Sequence, residues 1–285
     1  MNENIVCIYH KDCVDGTTAA AVVLRAFPQA KLFPLSQGYT EEDFAVIQPH
    51  LQKGTVAYIV DCTLGITECI EAECTITVID HHVSEVDRMR ATAEKYVKVT
   101  YMYDVTKSGA SLCFTYFFPE EALPELIKYV EDSDLWNGTY GAVTKDVVHY
   151  LSLFRNDPKK MSEHIEGDGE IVKERGNIIS EYTDKAIAHL IQISPLILNI
   201  GEHHVLTFNI TDHESACGHL LSIKHNQAVA LFTIKGTEVR FSFRSNESNI
   251  PSALDLASLL GGGGHRNSSG ARISLSDFLS RIDSK

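Results

Sequence analysis

The chain has 285 residues, of which 44% are hydrophobic and 22% charged, with 18 glycines and 8 prolines. That length suits two domains at roughly 100 to 200 residues each, and the composition excludes fibrous, disordered and peptide-scaffold classes. The net charge of −13 disfavours nonspecific binding to long nucleic acid, which depends on neutralising phosphates.

Read in chain order, the first hundred residues hold four short apolar stretches, Ile5 to Tyr9, Lys31 to Leu35, Thr55 to Val60 and Thr75 to Ile79, each ending in polar residues. Helix-forming segments such as Thr17 to Phe27 lie between them, which predicts a parallel sheet with helical crossovers. Helices are expected over Ser108 to Phe118 and Glu120 to Glu131. From Ser162 to Ile193, apolar residues at 172, 179, 182, 186 and 190 predict one amphipathic helix stopped by Pro195. Beyond it, Ala228 to Ile234 and Val239 to Arg244 flank Lys235-Gly236-Thr237-Glu238 as a hairpin, and Pro251 to Leu260 reads as a helix running into four glycines. The expected fold class is α/β, a parallel-sheet domain over 1–165, a helical linker over 166–194 and a smaller α+β domain over 195–285.

No apolar run approaches the roughly 18 residues of a membrane-spanning helix, and the first residues lack the basic and long apolar regions of a signal peptide. Seven cysteines without a CxxC pair fit buried thiols in a reducing, cytoplasmic setting. Residues 195–285 carry eight basic and eight acidic side chains, so the whole charge excess lies in the first 194 residues. An anionic substrate would therefore need metal ions or a few arginines.

Three predicted strands run into metal-ligating residue types: His10, Asp12 and Asp15 after the first, Asp61 after the third, and Asp80-His81-His82 after the fourth. In an open α/β sheet such strand ends converge on one crevice. Asp15 or Asp61 alone reads as a cap or turn residue, but adjacent histidines after a strand-end aspartate have little structural use. Mixed carboxylate and imidazole donors suit Mn²⁺, with Mg²⁺ or Co²⁺ as substitutes, and two such ions can activate water for attack at phosphorus.

His10-Lys-Asp-Cys-Val-Asp-Gly16, Asp61, Asp80-His81-His82, Glu131-Asp-Ser-Asp134-Leu-Trp136 and Gly261-Gly-Gly-Gly-His265-Arg266 resemble, in this order, the motifs of the DHH/DHHA1 phosphoesterases. The chain is most similar to the short two-domain members, the nanoRNases and related nucleotide phosphodiesterases, and looks too short for the added domains of RecJ-type exonucleases. The resemblance implies that His10 and Asp61 hold one metal, that Asp15, Asp61, His81 and Asp134 hold the other, and that Asp61 bridges them. Asp80 would orient the histidines, and His82 would face the substrate phosphate or leaving group. The family's first motif has Asp-x-Asp, and here Cys13 stands at the earlier aspartate. The thiolate could bind, Asp12 could replace it, or the first site could fill only with substrate. Asp132 competes with Asp134, which is preferred for its place before Leu-Trp.

Gly263, Gly264, His265 and Arg266 read as an anion-binding turn, against a flexible linker on composition alone. Arg240, Ser242 and Arg244 share one strand face, and Arg244 is a candidate anion clamp. Ser108 reads as a helix cap. Trp136 reads as a packing residue, with base stacking the alternative. The expected activity is metal-dependent hydrolysis of short oligonucleotides, linear dinucleotides or phosphorylated nucleotides, by a chain that acts without membrane or long nucleic-acid partners and could form a homodimer. Exopolyphosphatase activity and a nucleotide-binding regulator with a degenerate metal site are the alternatives.

Overall fold

Alternation of apolar residues with both faces covered organises the first part of the protein, seen in a computed structural model that describes residues 4–282. In order the elements are β1 (Ile5–His10), α1 (Val14–Ala26), β2 (Lys31–Leu35), α2 (Glu41–Phe44), β3 (Val56–Val60), α3 (Ile66–Glu71), β4 (Thr75–Asp80), α4 (Val86–Lys95) and β5 (Val99–Tyr103). They are followed by α5 (Gly109–Phe117), α6 (Glu125–Asp134), α7 (Ala142–Leu151), α8 (Pro158–Ile165) and α9 (Gly169–Leu190). The strands form an all-parallel sheet in the order β2-β1-β3-β4-β5. Successive residues of β1 face opposite sides: Ile5, Cys7 and Tyr9 pack with α1 and α5, while Val6 and Ile8 pack with the other layer around Ile66, Cys69 and Met89.

α1 is buried along most of its length, and its run of small residues, Thr17, Thr18, Ala19, Ala20 and Ala21, lets it lie close to its neighbours. The helix predicted over 162–193 is two helices. Glu166-Gly167-Asp168 separates them, with Asp168 accepting a hydrogen bond from the Glu170 N–H and so capping the second. The helix predicted over Glu120 to Glu131 starts later, at Glu125, because Pro124 occupies its N-cap.

The compact units divide at Glu181 and Tyr182, within α9. The second unit contains β6 (Leu196–Ile200), β7 (His203–Phe208), α10 (Glu214–His225), β8 (Val229–Lys235), β9 (Glu238–Arg244), α11 (Ala253–Leu259), β10 (Gly263–His265), β11 (Ser268–Ser274) and α12 (Leu275–Arg281). Its sheet runs β10-β11-β9-β8-β7-β6, antiparallel except for β7 with β8, which α10 connects. The predicted hairpin is β8–β9, its strands extending through Lys235 and Glu238 so that pairs run from Lys235↔Glu238 to Val229↔Arg244. No helix among the described residues is long and apolar enough to cross a membrane.

Candidate metal centre

The strand order reverses between β2-β1 and β3-β4-β5, so the connections after β1 and β3 leave in opposite directions and open a crevice at their carboxyl ends. His10 is the last residue of β1, Asp61 follows β3, and Asp80-His81-His82 straddles the end of β4. Asp15 stands in the first turn of α1 and Asp134 ends α6. Side chains far apart in sequence thus meet on one sheet edge.

They form two groupings with the mutual spacing of a metal site: His10, Asp61 and His82, and Asp15, His81 and Asp134. Asp61 lies between them. Its Oδ2 is 3.4 Å from His10 Nδ1, and its Oδ1 is 3.2 Å from His81 Nε2. His81 Nε2 is also 3.4 Å from Asp134 Oδ2 and 4.0 Å from Asp15 Oδ2. His10 Nδ1, both Asp61 oxygens, His81 Nε2 and Asp134 Oδ2 are buried with no hydrogen-bond partner. Leaving five such atoms unsatisfied would cost several kcal/mol, so their convergence fits a pair of divalent cations.

The backbone is shaped to permit this approach. A Cβ on Gly16 would lie 2.5 Å from the His10 carbonyl oxygen and 3.0 Å from Asp61 Oδ2. One on Gly109 would lie 2.7 Å from Asp61 Cβ and 2.9 Å from Asp15 Oδ2. Asp61 itself adopts φ 55°, a left-handed conformation uncommon outside glycine and a recurrent feature of functional sites. Asp15 is oriented by the start of α5, where the Gly109 and Ala110 N–H groups donate to its two oxygens at 2.6 and 3.0 Å.

Electrostatics point the same way. Burial, and then the charges of Asp61 and Asp134, push the Asp15 carboxyl well above its ordinary range, and burial with the Asp61 charge raises Asp134. Burial also disfavours ionised Asp61, but the imidazoles of His10 and His81 outweigh it and hold this carboxyl well below the usual range. His81 is raised to about 9: burial opposes its charge, and the three surrounding carboxylates prevail. Three clustered acids with one shared cation-like histidine are an arrangement that bound divalent ions would relieve.

The structure separates the competing residues. Asp132 is buried and accepts from the Thr139 N–H at 2.6 Å, the Tyr140 N–H at 3.3 Å and the Thr144 hydroxyl, so it braces the loop after α6. Glu131 accepts from the Ser108 N–H and the Ser111 hydroxyl. Ser108 is the cap of α5, its hydroxyl accepting from Ser111 N–H. Asp12 is tied to the Asn156 side chain, and neither Asp12 nor Cys13 belongs to either grouping. Asp80 is fully buried, with Oδ1 2.7 Å from His82 Nδ1. The packing expectation for Trp136 is overturned: the residue adopts φ 55° just after α6 and its side chain is 91% exposed.

In the second unit the glycine run is built structure rather than linker. Gly261 (φ 73°) ends α11, a Cβ on Gly262 would meet the Gly270 carbonyl oxygen at 2.1 Å, and Gly263, Gly264 and His265 form the edge strand β10. His265 pairs with Ser268, which pairs on its other side with Arg244, so these three stand in one row across the sheet. Arg244 donates to the Ser242 hydroxyl and the Phe243 carbonyl, and Arg266 lies against Glu247.

Residues 207–285 match the DHHA1 domain family. Over 294 aligned residues the chain is 24% identical to uncharacterized protein R106 of Acanthamoeba polyphaga mimivirus, covering 94% of this chain and 67% of that one. Its fold resembles that of exonuclease RecJ bound to manganese (TM-score 0.56, 14% identity, 97% of this chain and 87% of the other). It also resembles the pGpG-specific phosphodiesterase PggH from Vibrio cholerae (TM-score 0.55, 15% identity, 96% and 94%). Fold and site define a two-unit α/β protein with a candidate dinuclear centre at a parallel sheet's carboxyl edge. Residues 207–285 are a DHHA1 domain, and the ordered motifs together with the RecJ-like and PggH-like fold support a likeness of the whole chain to DHH/DHHA1 phosphoesterases.

Proposed function

We propose that the protein is a metal-dependent phosphodiesterase of short nucleotide substrates, linear dinucleotides or very short oligonucleotides, with Mn²⁺ as its working ion. The observation that carries this reading is the set of buried, unpartnered donor atoms on His10, Asp61, His81 and Asp134, gathered where Asp61 offers one oxygen to each side. The bound ions would supply Lewis acidity, lowering the pKa of a water and offsetting charge on the phosphoryl oxygens. Asp61 fixes the spacing of the two positions, the α5 N-terminus keeps Asp15 turned inward, and Asp80 fixes the ring of His82.

Arg244 and His265, with Arg266 and the exposed Gly263-Gly264 backbone, are the groups of the second unit that we assign to binding a phosphate anion. Trp136 presents an exposed indole two residues after Asp134 and is assigned to a nucleobase, since stacking is tolerant of base identity. That favours nucleotides over polyphosphate.

The test is direct. Chelator-treated protein should release mononucleotides from pGpG and from two- to five-residue RNA only after Mn²⁺ is restored, with little phosphate released from polyphosphate. Binding of these substrates without turnover at any divalent ion would overturn the enzymatic reading.

A further inference from the structure

We propose that the first ion position is a two-histidine, one-carboxylate site made by His10, Asp61 and His82, in which His82 takes the place of the carboxylate that the family pattern puts at position 13. The inference rests on the two-ion reading above and goes beyond it in the third ligand and in the class of ion selected.

The geometry of His82 is that of a ligand held from behind. Nδ1 is 2.7 Å from Oδ1 of Asp80, a fully buried carboxylate, which leaves Nε2 as the nitrogen available to an ion. A histidine whose second nitrogen is fixed by a carboxylate recurs around metal sites, because the pairing sets ring orientation and raises ligand basicity. One donor atom each from His10, Asp61 and His82 lies within 4.8 Å of the others. Two of these residues present buried, unpartnered donors, His10 Nδ1 and both oxygens of Asp61. Cys13 falls outside the set, and Asp12 is engaged by Asn156, so neither neighbour fills the position of the missing aspartate.

The two positions then differ in chemistry. The first has two imidazoles and one oxygen of Asp61, while the second has one imidazole, the carboxylates of Asp15 and Asp134, and the other oxygen of Asp61. Imidazole-rich sets favour Fe²⁺, Co²⁺ or Zn²⁺, and carboxylate-rich sets accept Mn²⁺ and Mg²⁺. The first position therefore binds a later transition ion more tightly than Mn²⁺, which both positions still accept. His82 is committed to that ion, so the leaving group takes its proton from water.

Cobalt titration of the chelated full-length protein tests this. We expect two Co²⁺ per chain and no thiolate-to-cobalt charge-transfer band in the near ultraviolet. Cys13→Ser should keep both ions, and His82→Gln should keep one. A charge-transfer band abolished by Cys13→Ser, or two ions bound with unchanged affinity by His82→Gln, would overturn the assignment of His82 while leaving the two-ion reading intact. Failure of the unsubstituted protein to bind Co²⁺ at all would remove both. His82 is partly exposed and glutamine keeps a donor for the buried Asp80 carboxylate, and the wild-type spectrum decides the Cys13 alternative without any variant.

Discussion

The Gly109 N–H donates to Asp15 Oδ2 across 2.6 Å, joining the first turn of α5 to a carboxylate 94 residues earlier in the chain. The contact is possible because Gly109 has no Cβ, which would sit 2.9 Å from that same oxygen and 2.7 Å from Asp61 Cβ. Gly109→Ala is therefore expected to push Asp15 and Asp61 apart and to lower metal content and activity together by at least tenfold. Far-ultraviolet circular dichroism should remain that of the parent, because alanine suits a helix start. Metal analysis after gel filtration checks it, and full occupancy in the variant would contradict the role given to this glycine.

Asp132 and Asp134 should separate cleanly. Removing Asp132 leaves the Thr139 and Tyr140 N–H groups and the Thr144 hydroxyl without their acceptor, so Asp132→Ala should lower unfolding free energy by about 2–3 kcal/mol. Asp134→Asn instead takes a charge out of an acidic cluster. It should leave the ion-free protein as stable as the parent or more so, and should reduce, by the share of one of the two ions, the rise in Tm that Mn²⁺ produces by binding the folded state. Thermal denaturation of both variants, with and without Mn²⁺, distinguishes the two roles.

Metal binding should release protons. In the ion-free centre His81 titrates near 9, above its ordinary value, so it holds a proton at neutral pH that an ion must displace from Nε2. Apparent affinity should therefore fall as pH drops below about 9, by up to about tenfold per unit for each proton displaced. Without ions the sign reverses for stability. Groups with raised folded-state pKa, His81 and Asp15 among them, contribute stability at low pH that fades as pH climbs through those raised values. Calorimetry in buffers of different ionisation enthalpy should count at least one proton released per chain at pH 7.

Trp136 is the chain's single tryptophan and is 91% exposed, so its emission reports on one place. A linear dinucleotide should quench it and ribose 5-phosphate should not. Trp136→Ala should raise KM roughly 5- to 100-fold with kcat little changed, the range expected for a lost base stack. Emission indifferent to both ligands would remove the nucleobase assignment.

His10, Asp15, Asp61 and His81 were legible in the sequence as strong donors at or just after strand ends, where open α/β sheets gather their functional groups, whereas Asp134 was reached only through its resemblance to the family motif before Leu-Trp. Gly109 and Gly16 were not, since what they contribute is a missing Cβ at a close approach between segments distant in sequence. The glycine run was ambiguous for a related reason: only the contact between Gly262 and the Gly270 carbonyl reveals that β10 packs on β11 rather than flexing. β5, β6 and β7 escaped notice because Val99–Tyr103 carries Thr and Tyr among its apolar residues and the other two lie in a stretch rich in Asn and His. Trp136 was assigned to packing from its residue type, and the left-handed turn after α6 turns it outward instead.

The central proposal is that Asp61 would hold two ions, offering one oxygen to each. Anomalous diffraction from crystals grown with manganese should give two peaks flanking this carboxylate, one beside His10 and the other among Asp15, His81 and Asp134. A map in which Asp61 contacts a single ion, or none, would contradict the account.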